Sequence, residues 1–226
     1  MMRRWYPIAL AALLVLFAGC TSDDNVLAPL PSNTSLVQVV HGSPDAPPVD
    51  ILVDTVRVIA NMAYTGASNY LILSSGSRDV RFNPAGSATP MIDSQINFVS
   101  DAAYTLFAAN TLGSIEPLLL QDLLPAVSDD SAFVRFVHLS PNVGPVDLTL
   151  EDGTVLYGNI PFRGSTSFRG FLGSLYPVQV RLAGTSSILL EDELSVGTGF
   201  NYTFWFRGVD SGIGAQALGL SLITHD

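Results

Sequence analysis

Two sets of residues in this chain have the types needed for nucleophilic chemistry. Each set holds a histidine, a serine two places later and an aspartate nine places after the histidine: His41, Ser43 and Asp50 in the first, and His138, Ser140 and Asp147 in the second. Serine, histidine and an acid are the members of a catalytic triad. Here a proline follows each serine, whereas a nucleophile elbow has flanking glycines. We therefore predict no catalytic residues and expect a protein that is not an enzyme.

The residues around the first histidine indicate a stiff loop. Three prolines within residues 44–48 fix the backbone φ angle and remove hydrogen-bond donors. Ser43 and Asp45 have side chains that accept hydrogen bonds from nearby backbone N–H groups. His41 could donate a ring N–H to Asp50 or to a loop carbonyl. We expect these residues and their second-copy counterparts to shape a loop, and contact with a ligand is the alternative interpretation.

The sequence offers no recognisable metal or cofactor site. Three histidines and one cysteine do not form a zinc pattern. The acidic runs at 129–130 and 191–193 lack the ligand spacing of an EF-hand loop. We predict no metal and no cofactor, although calcium at a loop stays open as an alternative. Trp205 lies in an aromatic strand, and an exposed Trp205 would be able to stack on a ligand.

The histidine motif belongs to a longer internal repeat. The segment from Val37 to Asp50 recurs in altered form from Val134 to Asp147, with a shift of 138 − 41 = 97 residues. A period of this length indicates two copies of one domain. Short alternating runs, separated by turns about every 8 to 12 residues, predict strands, and no window has a helical period. We predict an all-β protein with two tandem immunoglobulin-like β-sandwich domains.

Composition divides the chain into five parts. We predict that residues 1–19 are a lipoprotein signal peptide and that residues 20–35 are a flexible tether, because the latter are rich in Ser, Asn, Asp and Pro. The first sandwich is expected at residues 36–124 and the second at residues 132–226. Residues 125–131 have no apolar period and are predicted to link the two.

The first twenty residues predict export and lipid anchoring. Two arginines precede an apolar run from Ile8 to Phe17, which is too short to remain as a membrane-spanning helix. Small residues and then Cys20 follow, and this order resembles a bacterial lipoprotein signal, in which cleavage leaves the cysteine lipidated. Thr21, rather than aspartate, follows the cysteine, which by the same resemblance favours the outer membrane of the cell envelope.

The repeated motifs resemble those of a known bacterial family. The first copy reads His-x-Ser-Pro-Asp-Ala-Pro-x-Val-Asp from His41, then Asn-x-x-Tyr-x-Gly from Asn61, then a Tyr-Thr strand at Tyr104. This pattern resembles the domain of unknown function numbered 4397, which occurs, often in tandem, in secreted and lipid-anchored proteins. The second copy departs from the pattern at residues 142–144. The resemblance implies a fold and a location, and it brings no activity with it.

Charge excludes one class of partner. Removal of residues 1–19 takes away two arginines and no acid, so the net charge becomes (10 − 2) − 20 = −12. A chain this acidic repels phosphate backbones, so we expect no nucleic-acid partner. We predict a non-enzymatic cell-envelope protein with a structural, adhesion or ligand-presentation role. It would be held to the membrane at Cys20, with an envelope protein or a polysaccharide as a further partner. A carbohydrate-, peptide- or calcium-binding surface module is the alternative.

Overall fold

A computed structural model describes residues 32–225 as sixteen β-strands with two short 3-10 turns, Leu112–Ser114 and Gly214–Gln216. The first eight strands are β1 Thr34–His41, β2 Val49–Val53, β3 Val56–Met62, β4 Leu71–Ser74, β5 Gly76–Pro84, β6 Ile92–Phe98, β7 Ala103–Ala109 and β8 Glu116–Gln121. The second eight are β9 Ala132–His138, β10 Val146–Leu150, β11 Val155–Ile160, β12 Arg169–Phe171, β13 Ser174–Leu182, β14 Ile188–Val196, β15 Asn201–Arg207 and β16 Gly219–His225.

Each group of eight strands forms two four-stranded sheets. In the first group the strand orders are β4-β1-β7-β8 and β3-β2-β5-β6. In the second group they are β12-β9-β15-β16 and β11-β10-β13-β14, which is the same connectivity. The first strand of each group pairs in parallel with the seventh, and every other pair is antiparallel. The prediction of an all-β chain with two tandem sandwiches is confirmed.

Each sandwich has its own apolar core between its two sheets. In the first, Val37 and Val39 of β1 face Ile51 of β2 and Phe82 of β5. In the second, the corresponding core includes Phe136, Leu148 and other buried side chains of both sheets. The alternation of the strands explains this placement, because every second residue of a strand points to the same side of its sheet.

The central strands are also buried on their other face. Along β7, Tyr104, Leu106 and Ala108 point into the first core, whereas Phe107 and Ala109 point away from it and are equally buried. The same division holds in β1, β9 and β15. The outward faces of these four strands pack together and join the two sandwiches. The resulting inter-sandwich interface contains Val40, Phe107, Ala109, Val137, Leu139, Trp205 and Ile223.

The strand bounds refine the predicted divisions of the chain. Thr34 and Ser35 pair with Ser74 and Leu73, so the last two residues of the predicted tether belong to β1. β9 begins at Ala132, and residues 122–131 connect it to β8. The predicted signal peptide, Cys20 and most of the tether lie outside the described residues. Among residues 32–225 no helix is long and apolar enough to cross a membrane.

Candidate functional site

His41 is a fully buried residue at the end of β1, and its ring is held by the loop that follows. Its Nε2 lies 3.0 Å from the carbonyl oxygen of Pro47, and its Nδ1 accepts a hydrogen bond from the Ser43 N–H at 3.4 Å. Because Nδ1 accepts, the ring proton is on Nε2 and is donated to the carbonyl. The edge of the ring also packs against Tyr64.

His138 has the same environment in the second sandwich. Its Nε2 lies 3.1 Å from the Gly144 carbonyl oxygen, and its Nδ1 accepts from the Ser140 N–H at 3.2 Å. The ring packs edge-on against Phe162, the counterpart of Tyr64. Burial of the two imidazoles lowers the pKa of His41 and of His138 below the usual value. Both histidines are therefore neutral donors that close a loop.

The two serine hydroxyls do not form triads. Ser43 Oγ and Ser140 Oγ are buried, and neither has a hydrogen-bond partner among the residues that the structure describes. Each serine meets its histidine through the backbone N–H instead of the hydroxyl. A general base must lie within hydrogen-bond reach of the hydroxyl proton. The arrangement therefore lacks the nucleophile–base contact of a hydrolase.

Asp50 and Asp147 lie on the second strand of each sandwich and hold backbone turns. Asp50 accepts from the N–H groups of Asn61 at 2.8 Å and Gly86 at 3.2 Å, and from Arg57 at 3.2 Å. Asp147 repeats the pattern with Asn159 at 2.6 Å and Gly184 at 2.9 Å. The hydrogen bonds from Asn61, Gly86 and Arg57 lower the pKa of Asp50.

These contacts explain the second motif of the repeat. Asn61 and Asn159 have φ angles of 51° and 54°, a left-handed conformation that asparagine tolerates better than most residues. Gly66 is the last residue of the motif. A Cβ at this position would lie 2.8 Å from the Ala63 carbonyl oxygen, so only glycine fits. The histidine, the aspartate and the Asn-x-x-Tyr/Phe-x-Gly segment thus form one structural unit in each sandwich.

Asp45 joins the same loop to its neighbour. Its Oδ1 accepts from the Leu112 N–H at 2.7 Å, which ties the proline-rich loop to the connection between β7 and β8. In the second sandwich Asn142 stands in this place and accepts from the Asp210 N–H at 2.8 Å. An amide oxygen replaces a carboxylate oxygen, and the contact is kept.

Trp205 does not offer a platform for a ligand, and this corrects the alternative raised for it. Only 1% of its surface is exposed, and its ring meets Phe107 across the inter-sandwich interface at a centroid distance of 6.0 Å. The opposite face of β15 is covered by the second core, so both sides of the strand are filled. Trp205 is a packing residue between the sandwiches.

A buried polar cluster accompanies Trp205 in the interface. Arg135 of β9 donates to Asp122 at 2.7 Å, and the two side chains are 3% and 0% exposed. Arg135 also donates to Thr203 at 3.1 Å and to Thr105 at 3.3 Å. Around this pair Tyr70 lies 2.7 Å from Asp122 and 2.8 Å from His225 Nδ1. We call these six residues the Arg135 cluster.

The sequence repeat did not predict the Arg135 cluster, because the residues at the positions of the cluster differ between the two copies. Arg135 occupies the position that Gln38 has in the first sandwich. Gln38 pairs with Thr105 of β7, and Arg135 pairs with Thr203 of β15. In the same way His225 occupies the place of Asp122 at the end of the last strand. Positions that differ between the two copies do not belong to any shared motif. The sequence does carry one signal for the buried interface around this cluster, which is that the central strands have apolar residues on their outward faces.

A polar groove lies on the outer sheet of the first sandwich. It has a volume of about 740 Å³ and is lined by Asp50, Arg57, Arg81, Asn83 and Asp93, with the turn at residues 86–90 along one side. The Arg57 side chain is 58% exposed, and Arg81 is partly exposed beside Asp93. Guanidinium groups bind carboxylates and other oxygen acceptors in a planar fork. This groove is the clearest candidate for contact with a polar ligand.

The acidic run at 191–193 lines a smaller hollow of about 290 Å³ on the second sandwich. Glu191 accepts a hydrogen bond from Gln179 at 2.7 Å and belongs to the surface of its sheet. Within residues 32–225 no three histidine, cysteine, aspartate or glutamate side chains come together as a metal site.

Comparison with family models agrees with the motif geometry. The model described as Domain of unknown function (DUF4397) matches residues 35–149, which is just over half of the chain. The chain belongs to this family. The DUF4397 match covers the first sandwich from the second residue of β1 and continues through β9 and most of β10 in the second. No curated protein matches the chain.

Three solved structures show distant likeness. The N-terminal domain of AlgF from P. aeruginosa is 17% identical, with a TM-score of 0.31, over 40% of this chain and 95% of that chain. A family CBM26 module from Eubacterium rectale Amy13K, in complex with maltoheptaose, is 12% identical, with a TM-score of 0.28, over 83% and 96%. The Bacillus anthracis TIE protein is 9% identical, with a TM-score of 0.25, over 79% and 34%. At these TM-scores the likenesses carry no argument about function.

Proposed function

We propose that this DUF4397 protein is a non-enzymatic, lipid-anchored protein of the cell envelope that presents two sandwiches as one rigid body. The observation that carries the proposal is the inter-sandwich interface, in which Trp205, Phe107 and the Arg135–Asp122 pair are removed from solvent. A freely jointed pair of domains would not bury a charged pair between them, because an unpaired buried charge is strongly unfavourable.

The motif residues support the non-enzymatic part of the proposal. The imidazoles, the carboxylates of Asp50 and Asp147, and Asp45 all take part in internal hydrogen bonds. Apart from the Arg57 side chain at Asp50, their partners are backbone groups of neighbouring loops and turns. A group with this many fixed partners is suited to shaping the loop, and both sandwiches use it in the same way.

The anchoring part of the proposal rests on the sequence from Arg3 to Cys20. The test is metabolic labelling with radioactive palmitate, followed by separation of the inner and outer membranes. Wild-type protein is expected to carry label and to sediment with the outer membrane. Cys20→Ser should lose the label and leave the membrane fraction. Label that persists in Cys20→Ser, or wild-type protein that carries none, contradicts lipid anchoring.

A second role, binding of a polar ligand, is favoured by the groove of the first sandwich. The groove has two partly exposed guanidinium groups, and each forms one ion pair, Arg57 with Asp50 and Arg81 with Asp93. Their remaining N–H donors are left for the oxygen acceptors of a saccharide or an acidic peptide. Asp50 is the second residue of β2, which follows the loop from His41, so the groove lies near the end of the sandwich where β1 finishes.

The groove is tested with panels of neutral oligosaccharides, acidic oligosaccharides and acidic peptides, using isothermal titration calorimetry. Binding that falls at least about tenfold in Arg81→Ala supports the assignment. Arg78→Ala is the matched control, because Arg78 lies on the same strand in a comparable ion pair with Asp54 and does not line the groove. Equal loss in both variants, or retention in both, removes the groove as the site.

A further inference from the structure

The four central strands all begin at one end of the molecule. β1 and β7 run parallel in the first sandwich, and β9 and β15 run parallel in the second. Across the interface Thr105 of β7 accepts a hydrogen bond from Arg135, which is the register partner of Thr203 in β15. Two residues further along both β7 and β15, Phe107 contacts Trp205. Both steps advance in the same direction, so the strands of the two sandwiches also run the same way. We call the end where they begin the entry end.

The chain reaches the folded body at this end. The carbonyl oxygen of Asn33 accepts from the Ser75 N–H, and that of Thr34 accepts from the Asp101 N–H. The connection from β8 to β9 lies at the same end, because the Asp122 N–H donates to the Ala103 carbonyl at the start of β7. Everything that precedes Thr34, including Cys20, is therefore joined to the entry end.

The entry end of the second sandwich, with the connection that leads into it, exposes several large apolar side chains. Leu172 is 74% exposed at the turn from β12 to β13. The loop before β15 lies beside this turn, since a Cβ on Gly173 would come within 2.9 Å of Thr198. The same loop is hydrogen-bonded to the β8–β9 connection, because the Gly199 N–H donates to the Ser131 carbonyl. We define the apolar entry patch as Leu123, Val127, Leu172, Leu175 and Phe200, all exposed.

We propose that the apolar entry patch rests on the lipid surface to which Cys20 is anchored. Thirteen residues separate Cys20 from Thr34, and a fully extended chain of that length spans at most ~45 Å. A short connection keeps the patch at high local concentration beside the bilayer, so a weak apolar contact is enough to orient the body. The inference rests on the proposed lipid anchor and adds an orientation to it.

The charges at the entry end define the kind of lipid surface. Asp101 of the first sandwich and Asp129 and Asp130 of the β8–β9 connection are exposed there. Carboxylates are repelled by anionic headgroups and tolerated by zwitterionic ones. The patch therefore fits a zwitterionic phospholipid surface, and the groove of the first sandwich then points away from the bilayer.

The test uses the lipidated mature protein, which begins at Cys20 and so lacks Trp5, in phosphatidylcholine vesicles that contain brominated phosphatidylcholine, which quenches tryptophan at the lipid surface. Leu172→Trp places the probe in the patch. Ile213→Trp is the matched control, because Ile213 is 84% exposed in the connection before β16, at the opposite end. Native Trp205 is buried and contributes a constant background. We expect Leu172→Trp to be quenched at least about twofold more than Ile213→Trp, and more weakly in phosphatidylglycerol vesicles.

Each outcome separates the orientation from the anchor. Co-sedimentation with vesicles and no quenching of Leu172→Trp leaves the anchor in place and overturns the docking surface. Equal quenching of Leu172→Trp and Ile213→Trp also overturns it. A blue shift of Leu172→Trp fluorescence without vesicles, accompanied by dimers in sedimentation velocity, assigns the patch to a second copy of the chain. Failure of the wild-type protein to co-sediment overturns the anchor and, with it, the orientation.

Discussion

At the scale of single residues, the histidines are the centres of the two proline-rich loops. His41 and His138 each connect a backbone N–H two residues later to a carbonyl six residues later. A side chain with one donor and one acceptor in a fixed plane suits this task, since neither serine nor asparagine spans both groups in the same way. The identical use of the ring in both sandwiches makes it a part of the fold.

Replacement of either histidine by alanine should destabilise the protein. Each change leaves the buried Ser43 or Ser140 N–H without its acceptor, removes the donor to a part-buried carbonyl and opens a cavity, so we expect a loss of about 2–4 kcal/mol in the free energy of unfolding. Urea denaturation of His41→Ala and His138→Ala measures it. Asp45→Asn is the control, because Asn142 already fills this role in the second sandwich, and it should stay within about 0.5 kcal/mol of wild type. Histidine variants as stable as the control would contradict the structural role.

The same histidines make stability depend on pH. Burial lowers their pKa in the folded protein, whereas the unfolded chain titrates near 6.5. Above pH 6.5 both states are neutral and the two histidines contribute no slope. Below it the unfolded chain binds protons that the folded chain does not, so the free energy of unfolding falls with decreasing pH, by about 1.4 kcal/mol per pH unit for each histidine. Urea titrations between pH 7.5 and 5 should show this slope in wild type and a smaller one in His41→Ala. An unchanged slope in the variant refutes the assignment.

At the scale of elements, Asp50 and Asp147 connect the second strand of each sandwich to two turns. Asp50→Ala removes the acceptor of the Asn61 and Gly86 N–H groups, so we expect faster hydrogen exchange at both amides. Asp147→Ala should do the same for Asn159 and Gly184. In the control, Asp54→Ala, faster exchange should be confined to the Asp79 amide. Unchanged exchange at Asn61 in Asp50→Ala would show that the turn holds itself.

Some of the turns and strands could be predicted from the sequence, and the pairing of some strands could not. The hairpin at Asp152-Gly153 and the turns at Gly86 and Gly184 were predictable, because these glycines adopt positive φ angles of 88°, 77° and 70°. The repeat predicted two sandwiches with matching strands. The parallel pairing of β1 with β7 was not predictable, since alternation gives the buried face of a strand and not its neighbour.

The candidate sites were predicted unevenly for a related reason. The loop residues were found because they recur in both copies. The Arg135 cluster was missed because Gln38 and Arg135, or Asp122 and His225, look unrelated in the alignment of the copies. The groove was missed because Arg57 and Arg81 become neighbours only through strand pairing across β2.

At the scale of the whole molecule, the Arg135–Asp122 pair and the aromatic contact at Trp205 hold the two sandwiches together. Arg135→Met leaves Asp122 buried without its cation, and we expect a loss of about 3–5 kcal/mol in the free energy of unfolding. The double variant Arg135→Met/Asp122→Leu removes both charges and should recover most of the loss, because an apolar pair can replace a buried ion pair. A double variant as unstable as the sum of its single variants would show that the two residues act independently.

The two sandwiches unfold together if they form one body, and differential scanning calorimetry tests this directly. For the lipid-free Cys20→Ser chain we predict a single transition in which the calorimetric and van't Hoff enthalpies agree. Arg135→Met, measured in the same background, should separate it into two transitions as the interface is lost. Two separate transitions already present with Arg135 and Asp122 intact would contradict the rigid body, and with it the proposed mode of presentation.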